Sequence, residues 1–174
     1  MKLYLACGMD RLDGYHHVDN NPACNPDQVW NLQDLSRRWP WQDVSDIQVK
    51  HYIEHIPHGT GKDHFIRFFE RCWYILKPGG TMTIRWPWYA SIGAFSDPTH
   101  QRFITPMTFH YLSREWLQSR KIEHYDMVCD FQIVSNTCTL GASLEGLDDA
   151  GRGRAIETQI NAAHEGITVL KAIK

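Results

Sequence analysis

Two stretches of this chain place reactive side chains at informative spacing. The first is His51-Tyr52-Ile53-Glu54-His55, joined further on by Asp97-Pro98-Thr99-His100. Histidine changes charge near neutral pH, so His51, His55 and His100 are suited to taking a proton from a weakly acidic group. We single out His51 and His100 as the catalytic candidates. His51-x-x-Glu54-His55 also has the H-x-x-E-H spacing of inverted zinc peptidases. Those ligands need one face of a sustained helix plus a third ligand. Pro57 follows two residues after His55 and stops such a helix. A zinc hydrolase is therefore the lesser alternative, and no metal is expected.

The second stretch is residues 1–19. Lys2-Leu3-Tyr4-Leu5-Ala6 is a nearly continuous apolar run, suited to a strand buried on both faces of a parallel sheet. It leads into Cys7-Gly8, with Gly14 beyond, and then into a second strand, Tyr15-His16-His17-Val18, that stops at Asp19. A strand, a glycine turn and a strand ending in an acid follow the logic of nucleotide-cofactor folds. The carboxylate accepts the ribose hydroxyls, and the glycine removes a Cβ that would block the ligand. The full G-x-G-x-x-G is not present, and a plain strand-turn-strand is the competing reading.

The elements that must position these groups can be read in order. Gln28-Val29-Trp30 and Asp46-Ile47-Gln48-Val49-Lys50 are the third and fourth strands, with an irregular loop over residues 35–41 between them. Thr60-Gly61-Lys62-Asp63 resembles a capping box. Phe65, Phe68, Phe69, Cys72, Trp73 and Leu76 then trace the stripe of a helix lying on a sheet. Lys77-Pro78-Gly79-Gly80 ends that helix, and residues 81–86 form the fifth strand. Residues 87–106 read as one long loop, of the kind that forms a lid or binding surface. A helix over 108–119, with Phe109, Leu112, Trp116 and Leu117 inward, follows. A strand over 123–140, a helix over 152–164 and a strand over 167–173 complete the chain. Alternating strands and crossovers, closed by two long strands, imply a mostly parallel α/β sheet with an antiparallel edge.

A chain of 174 residues suits a single domain spanning residues 1–174. Its formal charge of −2 gives no electrostatic footprint for nucleic acid or an anionic membrane. The five cysteines are scattered and never spaced C-x-x-C, which argues against a disulfide framework and a zinc knuckle. No apolar run approaches the roughly 18 residues of a membrane span. With a strand starting at the amino terminus, a cytoplasmic location is expected.

Leu5-Ala6-Cys7-Gly8, Val18-Asp19, Asn31-Leu32, His51-Tyr52-Ile53-Glu54-His55 and Leu76-Lys77-Pro78-Gly79-Gly80 occur in this order. Together they resemble the class I S-adenosylmethionine-dependent methyltransferases, in particular a small subfamily with H-x-L-E-H after the fourth strand. The loop Asp97-Pro98-x-His100-x-Arg102-Phe103-x-Thr105-Pro106 is similar to that subfamily's loop after the fifth strand. The resemblance covers residues 3–135. It implies a Rossmann-like sheet of seven strands with S-adenosyl-L-methionine across the carboxyl ends of the first ones. Ala6, Cys7 and Gly8 would then line the methionine part, Asp19 would bind the ribose, Asn31 and Leu32 would meet the adenine, and His51 would face the methyl group.

Departures from the pattern are informative as well. Too few residues join the first two strands for a helical crossover, so the first helix is expected to be shortened or missing. No counterpart of the family's amino-terminal capping helix is expected, and a homodimer partner or a bulky acceptor could close the pocket. The Asn-Pro-Pro-Tyr motif of amino-directed DNA methyltransferases is not in the sequence. The resemblance thus implies a methyltransferase acting on a small-molecule, glycan or peptide acceptor rather than nucleic acid. A non-catalytic binder of the same cofactor is the alternative. Trp86, Trp88 and Tyr89 are expected either in a substrate pocket or in the core, Trp73 in the core. Arg102 is expected to hold an anionic group or to pair with Asp97.

Overall fold

The computed structural model describes residues 1–34, 36–123 and 126–174. The elements are β1 (Lys2–Leu5), β2 (His16–Asp19), β3 (Gln28–Val29), β4 (Val44–Lys50), α1 (His64–Ile75), β5 (Leu76–Pro87), α2 (Ile92–Ser96), α3 (Arg114–Arg120), β6 (Phe131–Leu140), α4 (Asp149–Thr158) and β7 (Ala163–Ala172). The strands form one seven-stranded sheet in the order β3-β2-β1-β4-β5-β7-β6. The first five run parallel, while β7 is antiparallel to both β5 and β6. The expected antiparallel edge is thus the β7–β6 pair, with β7 inserted beside β5.

The core follows from the apolar patterning. Leu3, Leu5, Ile47, Val49, Met82 and Ile84 are buried in the central strands. Helix α1 packs with Phe65, Phe68, Phe69, Cys72 and Ile75 buried, each phenylalanine contributing roughly 1.5–3 kcal/mol. The expected loop over 35–41, whose residue 35 lies outside the described residues, contributes Trp39 and Trp41. Both are buried, with Trp39 edge-on to Phe68 at 5.9 Å.

Several boundaries differ from the sequence reading. Asp63, not Thr60, caps α1, its carboxylate accepting the Phe65 N–H at 2.9 Å. An aspartate two residues before a free N–H outcompetes the more distant threonine. Strand β5 begins directly at Leu76 and bulges at Lys77-Pro78-Gly79-Gly80, where pairing jumps from Val44–Leu76 to Asp46–Thr81. Gly79 has φ +72°, and a Cβ at Gly80 would meet the Val44 carbonyl at 2.9 Å. The long loop over 87–106 contains the short helix α2, capped by the Ser91 hydroxyl. The single helix expected over 108–119 is broken at Ser113 into a 3-10 segment, Pro106–Leu112, and α3. Phe109, Leu112 and Leu117 are buried as expected, while Trp116 is half-buried. In the strand expected over 123–140, residues 124–125 lie outside the described residues and the pairing begins only at Phe131. The helix expected over 152–164 ends at Thr158. Residues 6–15 contain no helix, so β1 reaches β2 through turns alone.

Trp86 and Trp88 belong to the core. They are 0% and 6% exposed and stack at 5.4 Å with 21° between their planes. The Trp86 indole N–H donates to the Thr168 hydroxyl at 3.0 Å. Trp73 is half-buried, its indole N–H donating to the Ile173 carbonyl at 2.8 Å.

Candidate functional site

In an open α/β sheet, ligands bind beyond the carboxyl ends of the strands, where the strand order reverses. Here that point lies between β1 and β4, with β2 and β3 continuing to one side. A cleft of ≈ 300 Å³ opens at this place. Ala6 and Gly8 line it from the turn after β1, Asp19 and Asn20 from the end of β2, Trp30 to Gln33 from the segment after β3, and His51, Tyr52 and His55 from the segment after β4.

The backbone around the cleft takes unusual conformations. Ala6, Gly8 and His51 all have left-handed φ, at 51°, 53° and 48°. For a non-glycine residue this costs roughly 1–2 kcal/mol. Nothing lies within 4 Å of the position a Cβ would take at Gly8, so the glycine meets a conformational need and leaves open space before the backbone. Asp19 is buried, and its carboxylate accepts the N–H groups of Gly8 at 2.8 Å and Asn21 at 2.9 Å. It therefore fixes the glycine turn while each oxygen keeps a further lone pair for a hydroxyl. Asn31 accepts the Gln33 N–H at 2.9 Å and Leu32 is buried.

No family model and no curated protein matches the chain in sequence. Solved structures match it in fold. A S-adenosylmethionine-dependent methyltransferase from Mesorhizobium loti superposes with a TM-score of 0.60 at 9% identity, covering 98% of this chain and 90% of that one. One from Archaeoglobus fulgidus gives 0.57 at 12% identity, covering 98% and 85%. A third, from Clostridium acetobutylicum, gives 0.56 at 11%, covering 99% and 84%. The fold is that of the class I methyltransferases.

Within this methyltransferase fold, six of the seven residues expected around the cofactor converge on the cleft: Ala6, Gly8, Asp19, Asn31, Leu32 and His51. Cys7 does not. The left-handed turn at Ala6 and Gly8 turns its side chain inward, where it is 4% exposed, and burial pushes its thiol pKa up.

His51 sits between two carboxylates. Its Nδ1 faces Glu54 at 3.3 Å and its Nε2 faces Glu165, from β7, at 2.5 Å. The bond to Glu54 raises its pKa, burial opposes the rise, and Glu165 reinforces it. This favours the doubly protonated ring. Arg85 stands 3.6 Å from the other oxygen of Glu165. Burial also pushes the Tyr52 hydroxyl well above its usual pKa, keeping it neutral.

His100 lies on the loop beyond α2, its ring 4.7 Å from that of His55 and edge-on to it. The Glu54 carbonyl accepts the N–H groups of Gln101 and Arg102, which ties the loop to the segment after β4. Arg102 pairs with Asp63 at 2.8 Å, not with Asp97, and donates to the Ile56 and Pro57 carbonyls. Its charge is thereby committed to the loop's anchoring. Sequence reasoning missed Trp30, Gln33, Tyr52 and Glu165. The first three lie beside recognised motifs, whereas nothing local marks Glu165.

Proposed function

We propose that this chain is a methyltransferase using S-adenosyl-L-methionine and acting on a small-molecule, glycan or peptide acceptor. The observation that carries the proposal is the convergence of Asp19 and the Gly8 turn in one cleft at the reversal point of a class I sheet.

The residues fit the cofactor. Gly8 leaves space where a Cβ would project, and Asp19 offers acceptor positions for ribose hydroxyls. Asn31, Leu32 and Trp30 form the wall suited to adenine, and Ala6 and Gly8 the part suited to the methionine. When bound, S-adenosyl-L-methionine supplies an electrophilic methyl group on a sulfonium cation. Glu54 and Glu165 are balanced by the His51 imidazolium and the Arg85 guanidinium, and Asp19 is the carboxylate that lines the cleft. With both nitrogens bonded to carboxylates, His51 orients and neutralises Glu54 and Glu165 instead of acting as a base. His100 and His55 are the remaining groups for a proton on the acceptor side. Most of the rate gain comes from holding acceptor and donor in line.

Calorimetric titration with S-adenosyl-L-methionine and its demethylated product tests the reading. We expect micromolar binding of both, and at least tenfold weaker binding in Asp19→Asn with an unchanged circular dichroism spectrum. No binding to the unmodified chain overturns the proposal.

A further inference from the structure

The segment after β4 and the loop carrying His100 bring together three metal-ligating side chains. Glu54, His55 and His100 each offer one ligand atom, and all three atoms lie within 4.8 Å of one another. Glu54 is 1% exposed. One of its oxygens faces His51, and the other, Oε2, is buried with no hydrogen-bond partner. Such an orphaned acceptor costs roughly 1–3 kcal/mol, more when charged, unless a donor or a cation meets it.

The histidines are prepared for the same purpose by the hydrogen bonds on their other nitrogens. Thr99 has one hydroxyl proton, which it donates to Asp97 at 2.7 Å. It must therefore accept from His55 Nδ1, 2.9 Å away. His100 Nδ1 lies 2.9 Å from the Ala94 carbonyl, which can only accept. Both rings are thereby fixed in the tautomer that leaves a lone pair on Nε2. An Nδ1–H bonded to an oxygen is the outer-shell arrangement that orients metal-bound histidines. The Asp97 carboxylate adds negative charge 3.9 Å from His100 Nε2.

We infer that Glu54, His55 and His100 form a site for a divalent first-row transition cation of the zinc class. Two imidazoles and one carboxylate are the donor set of open zinc sites, which keep a position for an exchangeable oxygen ligand. Tetrahedral ligands at about 2.0–2.1 Å stand some 3.4 Å apart, so side-chain rotations of about 1 Å close the set. His51 is no ligand, because both its nitrogens are taken. The trio differs in this from the His51-Glu54-His55 set of the peptidase spacing. His55 also lines the cleft, which puts the trio at its edge. The ion would hold an oxygen-bearing acceptor there and would take the Nε2 lone pairs of His55 and His100, replacing them as proton acceptors; that role rests on the methyl-transfer reading. The site itself does not.

The test is titration of the chelator-stripped protein with Co²⁺, followed by visible absorption, and with Zn²⁺ in competition. We expect one equivalent of Co²⁺, with d–d bands but no sulfur-to-cobalt charge transfer, which separates this site from the cysteines. His55→Ala and His100→Ala should each weaken binding at least tenfold, and Cys138→Ser should leave it unchanged. Thr99→Ala, at an exposed position that folding tolerates, should weaken it about tenfold by releasing the His55 ring. Absent binding, or the same affinity in all the histidine and threonine variants, overturns the site. Titration of the stripped protein with S-adenosyl-L-methionine keeps the two proposals separable: nucleotide binding without metal binding leaves the donor reading standing and removes this one.

Discussion

His51 is held by carboxylates 3 and 114 residues away in sequence. Its replacement by alanine leaves Glu54, 1% exposed, without its cationic partner. We expect His51→Ala to lose about 1–3 kcal/mol in denaturant unfolding, the cost of an unsatisfied buried polar group. A second single-residue effect concerns Asp63. Burial raises its pKa, but the Arg102 guanidinium and the Phe65 N–H outweigh burial and bring it below the usual carboxylate value. A depressed folded pKa contributes stability above the unfolded value, near 3.9, that is lost as pH falls through the folded one. Denaturation curves between about pH 5 and 2 should therefore be flatter for Arg102→Ala than for the parent chain. That Asp19, Gly8 and His51 line one cleft was legible because their types and positions relative to strand ends are local facts. The pairing of Arg102 was not legible, since Asp97 is nearer in sequence and only the folded loop brings Asp63 close.

At the scale of elements, α1 was readable from its apolar stripe, and its cap is testable. Asp63→Ala should destabilise the fold by about 1 kcal/mol or more through lost capping, beyond the ion pair. Strand β7 is fixed by a tighter constraint. Gly166 pairs with Trp86, and a Cβ there would meet the indole ring at 2.2 Å. Gly166→Ala should thus cost about 1–3 kcal/mol by overpacking, measured as a lower denaturation midpoint at unchanged slope. The break at Ser113 escaped the sequence reading because Phe109, Leu112, Trp116 and Leu117 keep helical spacing across it. Helical periodicity does not register a change of axis when the Ser113 hydroxyl is available to accept the Trp116 N–H.

At the scale of the molecule, the cleft draws on four segments that only the sheet brings together. Ligand that binds only the native state stabilises all of it. At about 100 times its dissociation constant, S-adenosyl-L-methionine should add about 2.7 kcal/mol and raise Tm by about 5–11 °C in a thermal scan. Among the described residues no helix is long and apolar enough to cross a membrane.

The sequence by itself determined the strand–turn–strand start, the α1 stripe and the positions of Gly8, Asp19, Asn31 and His51. Each depends on interactions within a few residues or on a one-sided apolar pattern. Tertiary structure alone decided that β7 lies between β5 and β6. It alone placed Glu165 on His51 and turned His55 and His100 toward one another beside Glu54. Those contacts join residues that share no local period or motif. They are set by which strands pair and by how the loop after β5 is anchored, and both emerge only when the whole sheet is packed.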